Sequence, residues 1–168
     1  MAPLLRTLRI ERLYSSPYRR CIETVRPFAE LSGLELTLQQ GLEEWTITAG
    51  LQPDSYGVWK RCWEDFHFAL PGCESSFTAQ ARFVTTVRRI VEQAQGLTIG
   101  IATHGGVIGL LLHHLDSTCR RDTAETIRNP DVLRVWANGA SMAWDRTFAL
   151  VGLDGIATGH DETPIRAR

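Results

Sequence analysis

The stretch LTIGIATHGGVIGLLLHHL, residues 97–115, decides the fold. LTIGIAT (97–103) is an apolar run of strand length and suits a buried, parallel strand. Residues 107–115 read as a helix. Between the two stands His104-Gly105-Gly106. A loop leaving the carboxyl end of a parallel strand is where α/β folds place their ligands. Gly105 and Gly106 allow close backbone approach, and the helix behind them offers N–H groups and a positive dipole end. His104 therefore stands beside a candidate anion site. The competing reading is a strand-end histidine satisfied by a backbone carbonyl.

Working outward, PGCES (71–75) is a turn, and Ser75 or Ser76 caps a long helix. Phe77, Ala81, Val84, Val87, Val91 and Ala94 form its apolar stripe at steps of three or four, and Gly96 ends it. LRIERLY (8–14) alternates like a strand running into a polar turn. Ser16 suits an N-cap and Pro17 the first residue of a helix with Tyr18, Ile22, Val25 and Ala29 on one face. Pro27 should kink or split that helix, and Gly33 should stop it. LELTL (34–38) is a short strand. In the segment 46–74, TITAGLQPDSYG reads as loop and VWKRCWEDFHFAL (58–70) as a short amphipathic helix. Trp59, Trp63 and Phe66 in it suit core or cap packing. DVLRVWANGASMAWD and TFALVGL read as β structure, with Asn138-Gly139 as a turn. Helices alternating with strands, then a β-rich end, argue for one three-layer α/β/α domain over residues 1–168.

Composition narrows the function classes. With 43% hydrophobic and 22% charged residues, the 168-residue chain is globular rather than disordered. A net charge of −1 argues against nucleic acid or a membrane surface as the partner. No apolar run is long enough for a signal peptide or a membrane span, so the expected location is cytoplasmic. Locally the balance differs: Arg6, Arg9, Arg12, Arg19, Arg20 and Arg26 face only Glu11 and Glu23 in the first 26 residues. Either this is a solvated helix face, or one or two of these guanidiniums meet an anionic substrate. Cys21, Cys62, Cys73 and Cys119 have neither CxxC nor metal-ligand spacing and read as reduced, structural thiols.

The order SSPYRRCIET (15–24), GLEEW (41–45), PGCES (71–75), IATHGGVIGLLL (101–112) resembles the histidine phosphatase superfamily, the phosphoglycerate-mutase-like fold. The likeness implies phosphomonoester hydrolysis or phosphoryl transfer through a phosphohistidine, with no cofactor and no metal. Its ligand would be a phosphorylated small molecule or phosphate. It casts His104 as the second histidine of a two-histidine phosphoryl clamp, Arg20 as a clamp arginine and Glu44 as the proton-donating acid, with Glu43 in reserve. Ser16, Arg20, Gly105 and Gly106 would bind substrate, and Glu74 and Ser75 would support the site or cap the helix. Two departures stand out. TITAGLQPDS replaces the glycine and WEG-type text that often follows the acid, and Cys73 stands where glycine is common.

The superfamily's nucleophile is the histidine of an Arg-His-Gly tripeptide one helix before the strand at 8–14. His67, His104, His113, His114 and His160 are the histidines here, and none has that context. MAPLLRTLRIERLYSSP resembles the end of the family's first helix running into its second strand, so the chain reads as N-terminally incomplete. That implies an open strand edge and makes a homodimer possible. Three accounts remain: an internal start in an ordinary phosphatase, a natural non-catalytic phospho-ligand or protein binder, or another histidine as nucleophile. The expectation for the chain as written is little or no turnover, with part of an anion pocket kept at Arg20 and His104.

Overall fold

Leu13 and Tyr14 are neighbours on strand β1 (Arg12–Ser15), and their opposite directions sort the core into two halves. The computed structural model describes residues 1–48, 54–139 and 141–150. Leu13 is buried with Leu5, Val25, Phe28 and Ala29, whereas Tyr14 packs against Leu42, Phe83, Val84, Val107 and Leu110. β1 is the middle of a parallel three-stranded sheet, between β2 (Leu36–Leu38) and β3 (Ile99–Ala102). Opposite Leu13 across the ladder lies Gly100, where a Cβ would come 2.9 Å from the Leu13 side chain. Ile99 and Ile101 face the other cluster.

Helices cover both faces, as the alternating pattern predicts. On the Leu13 side lie α1 (Ala2–Leu5) and α2 (Arg19–Ser32). On the Tyr14 side lie α3 (Ser55–Glu64), α4 (Ser76–Gln93) and α5 (Gly105–Leu115). After a short helix, α6 (Arg121–Glu125), the hairpin β4 (Val135–Asn138) and β5 (Ser141–Trp144) forms its own antiparallel pair. Among the described residues, β3 has a strand partner on one side only.

Several element boundaries differ from the sequence reading, each for a packing reason. The strand read at 8–14 starts only at Arg12 and includes Ser15. Before it, residues Arg6–Leu8 form a 3-10 turn, ended by Arg9 in a left-handed conformation (φ 52°), which turns Leu8 back onto the α2 cluster. α2 begins at Arg19 rather than Pro17, because Ser16 is fully buried at the strand end and caps no helix. Pro27 neither splits nor ends α2: it lies on the exposed side, where water can take the carbonyl it leaves unpaired. On α4 the buried stripe is Ala79, Phe83, Val84, Val87 and Ile90. Phe77, 54% exposed, and Ala81 point outward instead of inward, and Phe77 lies against His67. Asp54 caps α3 by accepting from the Gly57 N–H, so that helix starts earlier than 58 and stops before Phe66. Residues 147–150 form no strand, and the rest of TFALVGL lies outside the described residues.

All four cysteines are free. No helix among the described residues is long and apolar enough to cross a membrane.

Candidate functional site

The site is assembled where β1 and β3 end side by side. The Ser16 N–H donates to the Ala102 carbonyl (2.8 Å), which brings the SSP loop against the loop carrying His104. His104 is only 6% exposed, and both of its ring nitrogens are engaged. Arg20 Nε–H can only donate, and it donates to His104 Nδ1 (3.1 Å). The ring is therefore neutral, with its proton on Nε2, which donates to Ser16 Oγ (2.9 Å). Ser16 Oγ also accepts the Tyr18 N–H (3.3 Å), so one buried hydroxyl ties the SSP turn to the histidine. Cys21 Sγ lies 3.5 Å from Nε2 and 3.7 Å from Nδ1 of the His104 ring. It donates to the Thr103 carbonyl (3.4 Å), and burial pushes its thiol pKa up.

Burial lowers the His104 pKa to about 4, helped by the positive charges of Arg20 and Arg82. The sign of its effect on stability follows. The unfolded chain takes up a proton near 6.5 that the folded chain refuses until about 4, so stability falls as pH drops through that window. At 1.36 kcal/mol per unit, the loss reaches about 3 kcal/mol at most. Burial raises the Glu44 carboxyl, which works in the opposite sense, so a difference measurement is needed. Between pH 7 and pH 4.5, urea unfolding of the natural chain should lose about 2 kcal/mol more than that of His104→Gln. Equal losses would show that His104 is not held neutral.

Arg20 is the exposed member of the cluster. Its Nε is fixed by His104, and its guanidinium carbon lies 4.8 Å from the centre of the Tyr18 ring. Among the described residues, neither Nη group has a partner. A guanidinium held at one nitrogen and open at two others presents a fork to a tetrahedral oxyanion. Arg19, by contrast, pairs with Glu23 on the surface.

Glu44 and Glu43 diverge. Glu44 Oε2 accepts the Gly106 N–H (3.1 Å), and its Oε1 accepts the N–H groups of Val107 and Trp45 (both 3.1 Å). The carboxyl thus sits on the N-terminus of α5, and the Gly106 amide is already engaged by the protein. Gly106 is needed for this approach: a Cβ there would come 2.6 Å from Glu44 Oε1 and collide with the Trp45 indole nitrogen. Gly105 begins α5 beside His104. Desolvation raises the Glu44 pKa, against the lowering effect of three backbone hydrogen bonds and of the Arg20 charge. Glu43 turns away, accepting from the Gly41 N–H (2.6 Å).

One residue that sequence reasoning missed holds this loop. Arg82 on α4 makes a two-pronged contact with Glu74 (2.8 and 2.7 Å) and donates to the carbonyls of Gly41 (3.0 Å) and Glu43 (3.2 Å). It fastens PGCES to GLEEW and so fixes the backbone just before Glu44. Ser75 caps α4 through the Thr78 N–H (3.1 Å). The remaining histidines lie elsewhere. His113 donates through Nδ1 to the Cys119 carbonyl (2.7 Å) and packs against Trp63 and Phe66. His114 meets Arg88, and His160 lies outside the described residues.

The model of the histidine phosphatase superfamily (branch 1) matches residues 1–132. The chain belongs to this superfamily. Comparison with curated proteins gives no match. Among solved structures, it is similar to a mycobacterial glucosyl-3-phosphoglycerate phosphatase in complex with inorganic phosphate. That likeness has 20% identity and a TM-score of 0.66, covering 86% of this chain and 78% of the other. YhfR of Bacillus stearothermophilus superposes with a TM-score of 0.68 at 19% identity, over 85% of this chain and 76% of its own. A phosphoglycerate mutase from Bacillus anthracis gives 0.68 at 18% identity, over 86% and 74%. At these identities the structural likeness establishes the phosphoglycerate-mutase-like α/β fold.

Proposed function

We propose that the cluster of Arg20, His104, Ser16 and Glu44 is a phosphomonoester site, and that residues 1–168 bind such ligands without turning them over. The observation that carries this reading is Arg20, anchored at Nε by a neutral, buried histidine and open at both Nη groups. The open fork receives the non-bridging oxygens. His104 and Ser16 hold Arg20 in place from below. Glu44, whose pKa burial raises, is the group assigned to protonate a departing alkoxide. The superfamily's chemistry also needs a nucleophile that splits one displacement into two, and His104 is poorly placed to serve alone because neither ring nitrogen is free.

The test is a titration with inorganic phosphate followed by the NMR signals of Arg20 Nε–H and the His104 ring. Saturable shifts at both are expected, and their absence would overturn the reading. Among the described residues the outer edge of β3 is open, two residues before His104, and this favours one second reading. A strand laid along that edge with a histidine at its end would complete a two-histidine clamp, and the site would then hydrolyse or transfer phosphoryl groups. A longer product carrying a strand with Arg-His-Gly ahead of Met1 separates the two. Turnover with an acid-labile phosphoenzyme favours the second reading, and binding alone favours the first.

A further inference from the structure

Tyr18 is a large aromatic residue left 39% exposed, yet it touches both His104 and Arg20. Its ring meets the His104 ring edge-on (centroids 5.1 Å apart, 69° between planes), and the Arg20 guanidinium lies over it at 4.8 Å. Its backbone is fixed as well. The Tyr18 N–H donates to Ser16 Oγ, the same hydroxyl that receives the His104 proton. Pro17 before it restricts the turn further. The ring is therefore a fixed wall of the anion site rather than a loose surface side chain. Part of it is used by His104 and Arg20, and the rest is open to solvent.

From this placement we infer that Tyr18 is a specificity-determining residue, which makes the site select phosphomonoesters of aromatic alcohols over those of aliphatic ones. The inference rests on the phosphomonoester reading above. A phosphoryl group seated on the Arg20 fork carries its ester oxygen within reach of the exposed part of the Tyr18 ring. An aryl group attached there can stack on or edge against that ring, whereas a short alkyl chain gains only ordinary contact. Aromatic pairs are worth about 0.5–1.5 kcal/mol beyond simple burial, which is about a two- to tenfold preference.

The experiment measures dissociation constants of inorganic phosphate, phenyl phosphate and propyl phosphate for the natural chain, Tyr18→Phe and Tyr18→Leu. The readout is the phenyl-to-propyl ratio, which cancels any loss of phosphate affinity common to both. Phenyl phosphate should bind about twofold to tenfold more tightly than propyl phosphate to the natural chain and to Tyr18→Phe. The ratio should fall to about one in Tyr18→Leu. Equal binding of the two esters by the natural chain overturns the role of Tyr18, even if the variants fail to fold. A preference that persists in Tyr18→Leu overturns it too. If none of the three ligands binds, the anion site itself is refuted, and this inference with it.

Discussion

Residues 1–168 should hydrolyse p-nitrophenyl phosphate at about one-millionth of the rate expected of a complete two-histidine site, or not at all. Where catalytic groups act as a unit, removing the nucleophile costs on that order. Among the described residues one histidine, His104, stands at this site, and its geometry argues against it as a stand-alone nucleophile. Nδ1 accepts from Arg20, and Nε2 carries the proton and gives it to Ser16. Freeing Nδ1 breaks the contact that aims Arg20 at the phosphoryl group. Freeing Nε2 requires a tautomer that places a second proton donor against Arg20. Cys21 is no substitute, since its thiol is pushed toward the protonated form by burial and donates to a carbonyl. The assay is steady-state release of p-nitrophenol from protein purified twice. Turnover that survives repurification and disappears in His104→Ala would contradict this expectation.

Phe83→Ala should cost about 3–5 kcal/mol, the range for deleting a buried aromatic side chain. Phe83 is 1% exposed on the inner face of α4, in the cluster that includes Leu42, Trp45, Val107 and Leu110. The loss is large beside a total stability of about 5–15 kcal/mol for an ordinary domain. The same cluster supports the site from beneath, because Leu42 and Trp45 flank the two glutamates and Val107 donates to Glu44. Urea unfolding at pH 7 checks it through the shift in midpoint at constant slope. A loss below about 1 kcal/mol would mean that α4 is not packed on the sheet as described. Phe77→Ala on the same helix, at an exposed position, should cost far less.

Much of the frame was legible because it is local. A strand breaking into a helix at His104 follows from an apolar run, two glycines and a second apolar run. The two faces of the sheet follow from alternation. What the sequence hid depends on residues far apart in the chain. Ser16 is a good helix cap by type, but β1 and β3 bury it at their common end, where it serves His104. The choice between Glu43 and Glu44 is decided by which carboxyl reaches the first amides of α5, sixty residues away. Arg82 carries no motif of its own, and its role is visible only once α4 lies across both loops. On α4, the size of Phe77 suggests burial, but it lies just inside the helix start on the outer side, so the buried stripe runs through Ala79 and Phe83 instead.

The measurement that bears most directly on the account is the calorimetric affinity of inorganic phosphate for the natural chain and for Arg20→Ala. Removing the fork removes charge-assisted hydrogen bonds worth about 1.5–3 kcal/mol each. Binding should therefore weaken by about a hundredfold or vanish in Arg20→Ala. Affinities within twofold of each other would contradict Arg20 as the anchor, and with it the site proposed for this chain.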